Sequence, residues 1–254
     1  MPPYPHGHGP TGTPPPGGSS WPWEGEPDAR RFLATLFLPG EVVEIRAVDV
    51  PRVRGGVAAG YFDDFSRLIA AAHDLEARRA GGIYVTLNPV NPVLLARTAN
   101  RVEDAPKRTT NDKDILVRRW MFVDLDAIRP AGISSTDAEH GKALEAAARI
   151  KASLMACGWG PPALIVDSGN GAHLYYRLPD IDPADKKGVV EKTLKGFALR
   201  FDSDSVEVDE KVFNASRITK LPGTMVRKGD DVAERPHRRA RIVEGPAAAE
   251  GGPA

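Results

Sequence analysis

Apolar and polar positions along the chain alternate between helical and strand periods. Residues 28–38 predict a helix stopped by Pro39-Gly40, and 41–48 and 57–62 predict strands. At 63–80, Phe65, Leu68, Ile69, Ala72 and Leu75 make one helical face. Gly81-Gly82 ends it, and 83–87 reads as the next strand. The polar stretch 98–114 predicts a loop, and 119–124 an apolar strand. Thr136 and Glu139 are spaced as a capping box. The helix after them carries Ala143, Ala147, Ile150 and Leu154 on one face and stops at Gly158. Strands at 163–166 and 172–178 flank a tight turn, a helix spans 183–201, and 205–243 reads as short strands and turns. Helices mixed with strands, without an internal repeat, predict an α+β or α/β fold centred on a sheet.

Composition sets the bounds. A chain of 254 residues, 41% hydrophobic, can bury one sizeable core or two small ones. Residues 1–27 are dominated by proline and glycine and predict a disordered tail. Residues 244–254 read as a flexible tail or linker, leaving 28–243 as the folded part. Basic and acidic residues balance at 34 each, so overall charge is silent about a nucleic-acid partner. A lone cysteine, Cys157, excludes an intrachain disulfide and a cysteine-rich zinc site. No apolar run approaches the ~20 residues of a membrane span, and the N-terminus lacks signal-peptide blocks. The expectation is a cytoplasmic protein with no membrane partner.

Three stretches carry candidate chemistry. The first, RRWMFVDLDAIRP at 118–130, ends an apolar run in Asp124 and Asp126. Residues two apart on a strand face the same way, so the two carboxylates point together and repel unless a cation lies between them. Oxygen-rich pairs suit Mg²⁺ or Mn²⁺. A solvated strand end is the alternative. The second, ALIVDSGNGAHLYYRL, turns at Ser168-Gly169-Asn170-Gly171. His173, Tyr175 and Arg177 then share one strand face, offered to something anionic, while Leu174, Tyr176 and Leu178 face the core. The third is SVEVDEKVFNASRITKLPGTMVRKGDD. Glu207 and Asp209 share a strand face there, and either can complete a metal site. Asn214, Arg217 and Lys220 recur every third residue, so a helical turn would gather them. From 211 to 241, nine Lys or Arg face three acids, a basic excess suited to phosphates or to solvent.

In order, VDLD, SGNGAH and the VD at 208–209 resemble the three motifs of the archaeo-eukaryotic primase (AEP) superfamily. The likeness is to its primase-polymerases (PrimPol) of phage, plasmid and bacterial type. NASRITKLPGTMVRKG and TLNPVNP resemble flanking segments of phage-type members. The resemblance spans roughly residues 30–243. It implies a sheet like that of the RNA-recognition motif, an N-terminal α/β subdomain beside it, and an active site in the cleft between. It implies a nucleotidyltransferase, a primase or DNA-directed polymerase, working on a single-stranded DNA template with NTPs or dNTPs and a primer strand. Asp124, Asp126 and Asp209 would be catalytic and hold two divalent ions, Mg²⁺ or Mn²⁺, with Glu207 as the alternative to Asp209. Ser168, Gly169, Asn170, Gly171, His173, Arg217 and Lys220 would bind the nucleotide. Asn214, Arg227 and Lys228 are candidate template or phosphate contacts. The chain has no G-x-x-x-x-G-K-[ST] loop, so a helicase motor would be a separate domain or partner. The competing readings are a two-metal nuclease and a non-catalytic single-strand-binding module.

Overall fold

The computed structural model of the chain describes residues 23–246. Most of the expected N-terminal tail, and the residues after Pro246, lie outside that range. The elements are α1 (Glu26–Leu36), β1 (Val43–Val48), β2 (Ala58–Phe62), α2 (Phe65–Ala77), β3 (Gly82–Thr86) and β4 (Glu103–Asp104). They continue with β5 (Arg118–Ala127), α3 (Asp137–Ala156), β6 (Leu164–Asp167), β7 (Gly171–Ile181) and α4 (Val189–Phe201). The chain closes with β8 (Val206–Val208), β9 (Ile218–Lys220), β10 (Met225–Val226), β11 (Arg238–Arg239) and β12 (Arg241–Glu244). Two five-stranded antiparallel sheets result, ordered β4-β2-β1-β3-β9 and β12-β6-β7-β5-β8, with β10 and β11 as a small ribbon.

Local chemistry starts the helices. Asp64 caps α2 by accepting from the amides of Ser66 and Arg67, and Leu68, Ile69, Ala72 and Leu75 are buried as their spacing predicts. Thr136 and Glu139 close both bonds of their capping box ahead of α3, which buries Ala143, Ala147, Ile150 and Leu154. Helices α3 and α4 cover one face of the second sheet, where Met121, Val123 and Leu125 are buried. The opposite face meets α1 and the first sheet. There the Phe32 ring meets Tyr175 edge-on at 5.4 Å, and Trp120 Nε1 donates to the Leu36 carbonyl at 3.3 Å. Each such buried side chain contributes about 1.5–3 kcal/mol.

Several expectations need correction. Helix α1 begins at Glu26, inside the stretch read as tail, and Trp23 ahead of it is buried and stacked on His73. Helix α4 begins at Val189, not at 183. Asp185 and Gly188 hold positive φ of 40° and 62°, which a helix cannot continue through. The Asp185 carboxylate then accepts from the amides of Val189 and Val190. The 98–114 loop contains β4 and a helical turn at Asp112–Asp114. Strand β5 runs three residues past Asp124. No helical turn gathers Arg217 and Lys220, because Ile218–Lys220 is drawn out as β9 by pairing with β3, Tyr84 opposite Lys220 and Thr86 opposite Ile218.

No helix among the described residues is long and apolar enough to cross a membrane.

Candidate active site

Asp124 and Asp126 stand within β5, not at a frayed end. Antiparallel partners hold them from both sides. On β7, His173 lies opposite Asp124 and Gly171 opposite Asp126; on β8, Glu207 lies opposite Asp126. The Asp209 amide donates to the Asp124 carbonyl at 2.9 Å. The pleat therefore aims both carboxylates at the face shared with His173, as their spacing predicts. Their side chains keep 22% and 42% exposure, so they line an open cleft.

The strand pairing explains the glycines. A Cβ on Gly171 would lie 2.0 Å from the Leu125 carbonyl oxygen, so only glycine lets β7 approach β5 beside Asp126. Gly169 takes φ of +88°, the left-handed conformation that turns β6 into β7. Asp167 supports this turn, accepting from the Gly169 amide at 2.7 Å and meeting His140 Nε2 at 2.8 Å. Asn170 is buried, and its side-chain oxygen accepts from the amide and hydroxyl of Ser135 at 2.7 and 3.1 Å. It anchors the turn to the segment before α3.

Asp124, Asp126, Ser168, Asn170, His173 and Lys220 line one cavity of about 110 Å³, together with Tyr84 and Lys228. His173 Nε2 lies 3.2 Å from Asp124 Oδ1. Burial alone would raise the Asp124 carboxyl, but His173 facing it, with Arg217 and Lys228 behind, holds it below the ordinary carboxylate range. Asp126 goes the other way. Burial and the neighbouring Asp124 charge raise it, against Lys228 and an Arg129 guanidinium at 3.7 Å. Lys220 is buried with its ammonium 3.9 Å from the centre of the Tyr84 ring. Burial first, then Lys228, pushes its pKa down to about 7. Burial and the charges of Asp124, Asp49 and Asp126 push the Tyr84 phenol up to about 12.

Other expected contacts are placed elsewhere. Glu207 and Asp209 border a separate groove with Lys195, Leu199 and Asp202, and Asp209 Oδ1 accepts from the Lys211 amide at 2.8 Å. Among the described residues no three His, Cys, Asp or Glu side chains converge closely enough to hold a metal ion. Arg217 reaches the Lys211 carbonyl at 2.8 Å, and its buried Nε has no partner among the described residues. Asn214 bonds Ser216, and Arg227 donates to the Ala80 carbonyl. Arg177 is exposed, but Tyr175 is fully buried, so the face expected to meet an anion is largely core. Much of the C-terminal basic excess is met internally: Arg235 pairs with Glu139, Arg238 with Asp137 and Arg239 with Glu76. Sequence reading missed Tyr84 and Thr219. Lys220 pairs directly with Tyr84, but nothing in the spacing links β9 to β3.

The donor set suits a divalent cation. Two hard carboxylates aimed together, one raised by the other, gain most from a doubly charged ion between them.

No protein-family model matches the chain, and no curated protein matches it. Among solved structures, the chain is similar to the AEP domain (PP-N190) of the cyanophage S-2L primase-polymerase (PrimPol). Identity is 16% and the TM-score 0.50, over 89% of this chain and 92% of that one. It is also similar to primase RepB′, at 13% identity and a TM-score of 0.46, over 86% of this chain and 55% of that one. The mixed architecture, two antiparallel sheets with a carboxylate cleft, is thus similar in fold to the AEP domain of that cyanophage primase-polymerase.

Proposed function

We propose that the chain is a DNA-templated nucleotidyltransferase, a primase-polymerase that makes or extends primers on single-stranded DNA. One observation carries this reading: Asp124 and Asp126 share a cleft with His173 and the Ser168–Gly171 turn, on a fold of the primase-polymerase type. The reaction joins a 3′-hydroxyl to the α-phosphate of a nucleoside triphosphate and expels pyrophosphate.

Asp124 and Asp126 would hold divalent ions, Mg²⁺ or Mn²⁺. Asp209 would join them if its carboxylate turned away from the Lys211 amide, from which it now accepts at 2.8 Å. When bound, such ions lower the pKa of the attacking hydroxyl and neutralise the leaving phosphates. The protein's own groups supply the rest. His173 and Ser168 donate to phosphate oxygens from the turn side. Lys220 and Lys228 bring basic groups to the triphosphate from the cavity wall. The β5 backbone, paired on both sides, keeps the carboxylates from drifting.

The test is a single-stranded template with labelled nucleotides and Mg²⁺ or Mn²⁺, with and without a primer. Products longer than the primer, or new primers, are expected. Shortening of the DNA without nucleotides identifies a nuclease instead, and retention of the strand without chemistry identifies a binding module.

A further inference from the structure

Four side chains form one polar line across the boundary between the two sheets. Asp124 on β5 faces His173 Nε2 at 3.2 Å. The other ring nitrogen, Nδ1, lies 3.2 Å from the Tyr175 hydroxyl. That hydroxyl lies 2.6 Å from the Thr219 hydroxyl. Tyr175 and Thr219 are 0% and 1% exposed. Tyr175 belongs to the second sheet and Thr219 to the first, so the line spans the floor of the cleft.

The chemistry of each member limits its role. An ionised carboxylate only accepts, so Nε2 meets Asp124 as an N–H. A neutral imidazole with its hydrogen on Nε2 has a lone pair on Nδ1, which needs a donor. Tyr175 has one hydroxyl hydrogen to give. If it gives that hydrogen to Nδ1, its own oxygen accepts from Thr219. All four groups are then satisfied with the hydrogens running Thr219 to Tyr175 to His173 to Asp124. A buried tyrosine in the sheet core has no other evident use for its hydroxyl, and burying it unpaired would cost roughly 1–3 kcal/mol.

We propose that Tyr175 and Thr219 are positioning residues that hold His173 with its hydrogen on Nε2 and that N–H aimed into the cleft. The proposal rests on the reading of His173 as a donor to the phosphates of the nucleotide. When cations draw Asp124 away, the two hydroxyls keep the ring from flipping or changing tautomer, and the same N–H is ready for a phosphate oxygen. Thr219 lies in the cavity wall but pairs its hydroxyl with Tyr175, which is fully buried. They act through His173, as the outer partners of ligand histidines do.

Two arms test this. In primer extension, Tyr175→Phe and Thr219→Val raise the KM for the nucleoside triphosphate about tenfold with kcat within about twofold. Thr219→Ser, which keeps the hydroxyl, stays near the parent. Equal KM values in parent, Tyr175→Phe and Thr219→Val, with thermal melting showing all three folded, overturn the proposal. The second arm needs no activity. Ring-¹⁵N NMR of the Asp124→Asn protein removes the carboxylate's own demand for an N–H, because an amide both donates and accepts. The His173 hydrogen stays on Nε2 there and becomes divided between the nitrogens when Tyr175→Phe is added. A hydrogen on Nδ1, or no change on adding Tyr175→Phe, sinks the proposal. Absence of nucleotide incorporation by the parent protein defeats the primase-polymerase reading alone, and the NMR arm still decides the positioning role.

Discussion

Two clusters of charge in this molecule are built on opposite principles. Arg235, Arg238 and Arg239, near the C-terminal end, meet Glu139, Asp137 and Glu76 at 2.6–2.9 Å. Each cation there has an acid drawn from another part of the chain. Hydrogen bonds from Arg235 and Arg238 hold the Glu139 and Asp137 carboxyls below their usual range. In the cleft, two carboxylates share one strand face, and Asp126 is raised by burial and by its neighbour. The first cluster is complete within the chain. In the second, Asp126 stays raised even with Arg129 at 3.7 Å and Lys228 nearby. Asp124 is itself held low by His173, so the raised Asp126 alone separates the two: neutralised charge stabilises the fold, and a raised carboxyl in a cleft marks a candidate site.

The largest effect that breaks this contrast lies in the cleft. Asp124→Asn or Asp126→Asn lowers primer extension by about 10³-fold, equal to about 4 kcal/mol of transition-state stabilisation, with far-UV circular dichroism unchanged. Extension at parental rate by either variant removes the pair from the metal site. Next comes the third carboxylate. Asp209→Asn lowers kcat by about 10²-fold while Glu207→Gln stays within about threefold, and the reverse ranking assigns the role to Glu207. A third expectation concerns stability and not rate. In metal-free protein at neutral pH, Asp126→Asn removes a like-charge repulsion and raises Tm, and adding Mn²⁺ raises Tm of the parent but much less of the variant. A lower Tm for metal-free Asp126→Asn contradicts that repulsion.

The smallest effect lies in the arginine cluster. Glu139→Gln lowers stability at pH 7 by about 1 kcal/mol, read from urea unfolding, and leaves extension unchanged. The pH dependence follows from the depressed Glu139 carboxyl. Its contribution is present above the unfolded glutamate pKa and is lost as pH falls through the lower folded one. The difference between parent and Glu139→Gln therefore closes on acidification. A gap that widens in acid contradicts the pairing.

Much of this was legible in the chain because local signals and tertiary context agree. The Thr136–Glu139 spacing marks a helix start, and the apolar face of α2 is buried as its periodicity requires. Asp124 and Asp126 share a face because the pleat leaves no alternative. The misses are places where distant pairing overrules a local pattern. Strand β5 reads as ending at its carboxylates, yet backbone pairing to β7 and β8 is indifferent to side-chain charge and carries it to Ala127. Arg217 and Lys220 have helical spacing, but β3 presents an edge that β9 fills. Tyr175 reads as facing an anion because alternation labels a polar face without revealing that α1 and β9 cover it. Thr219 carries no signal, since a threonine in a short strand is ordinary until its partner is known.

The pairing of β9 with β3 also bears on how the molecule comes into being. The strand that completes the first sheet, and that carries Thr219 and Lys220 to the cleft, joins a partner about 130 residues earlier in the chain. Closing so long a loop is slow beside the formation of the β6–β7 hairpin. During synthesis, β5, β6 and β7, with the carboxylates and His173, can therefore pair before β9 adds Thr219 and Lys220 to the first sheet. The Thr219 and Lys220 side of the cleft thus depends on a long-range pairing that the β6–β7 hairpin does not need.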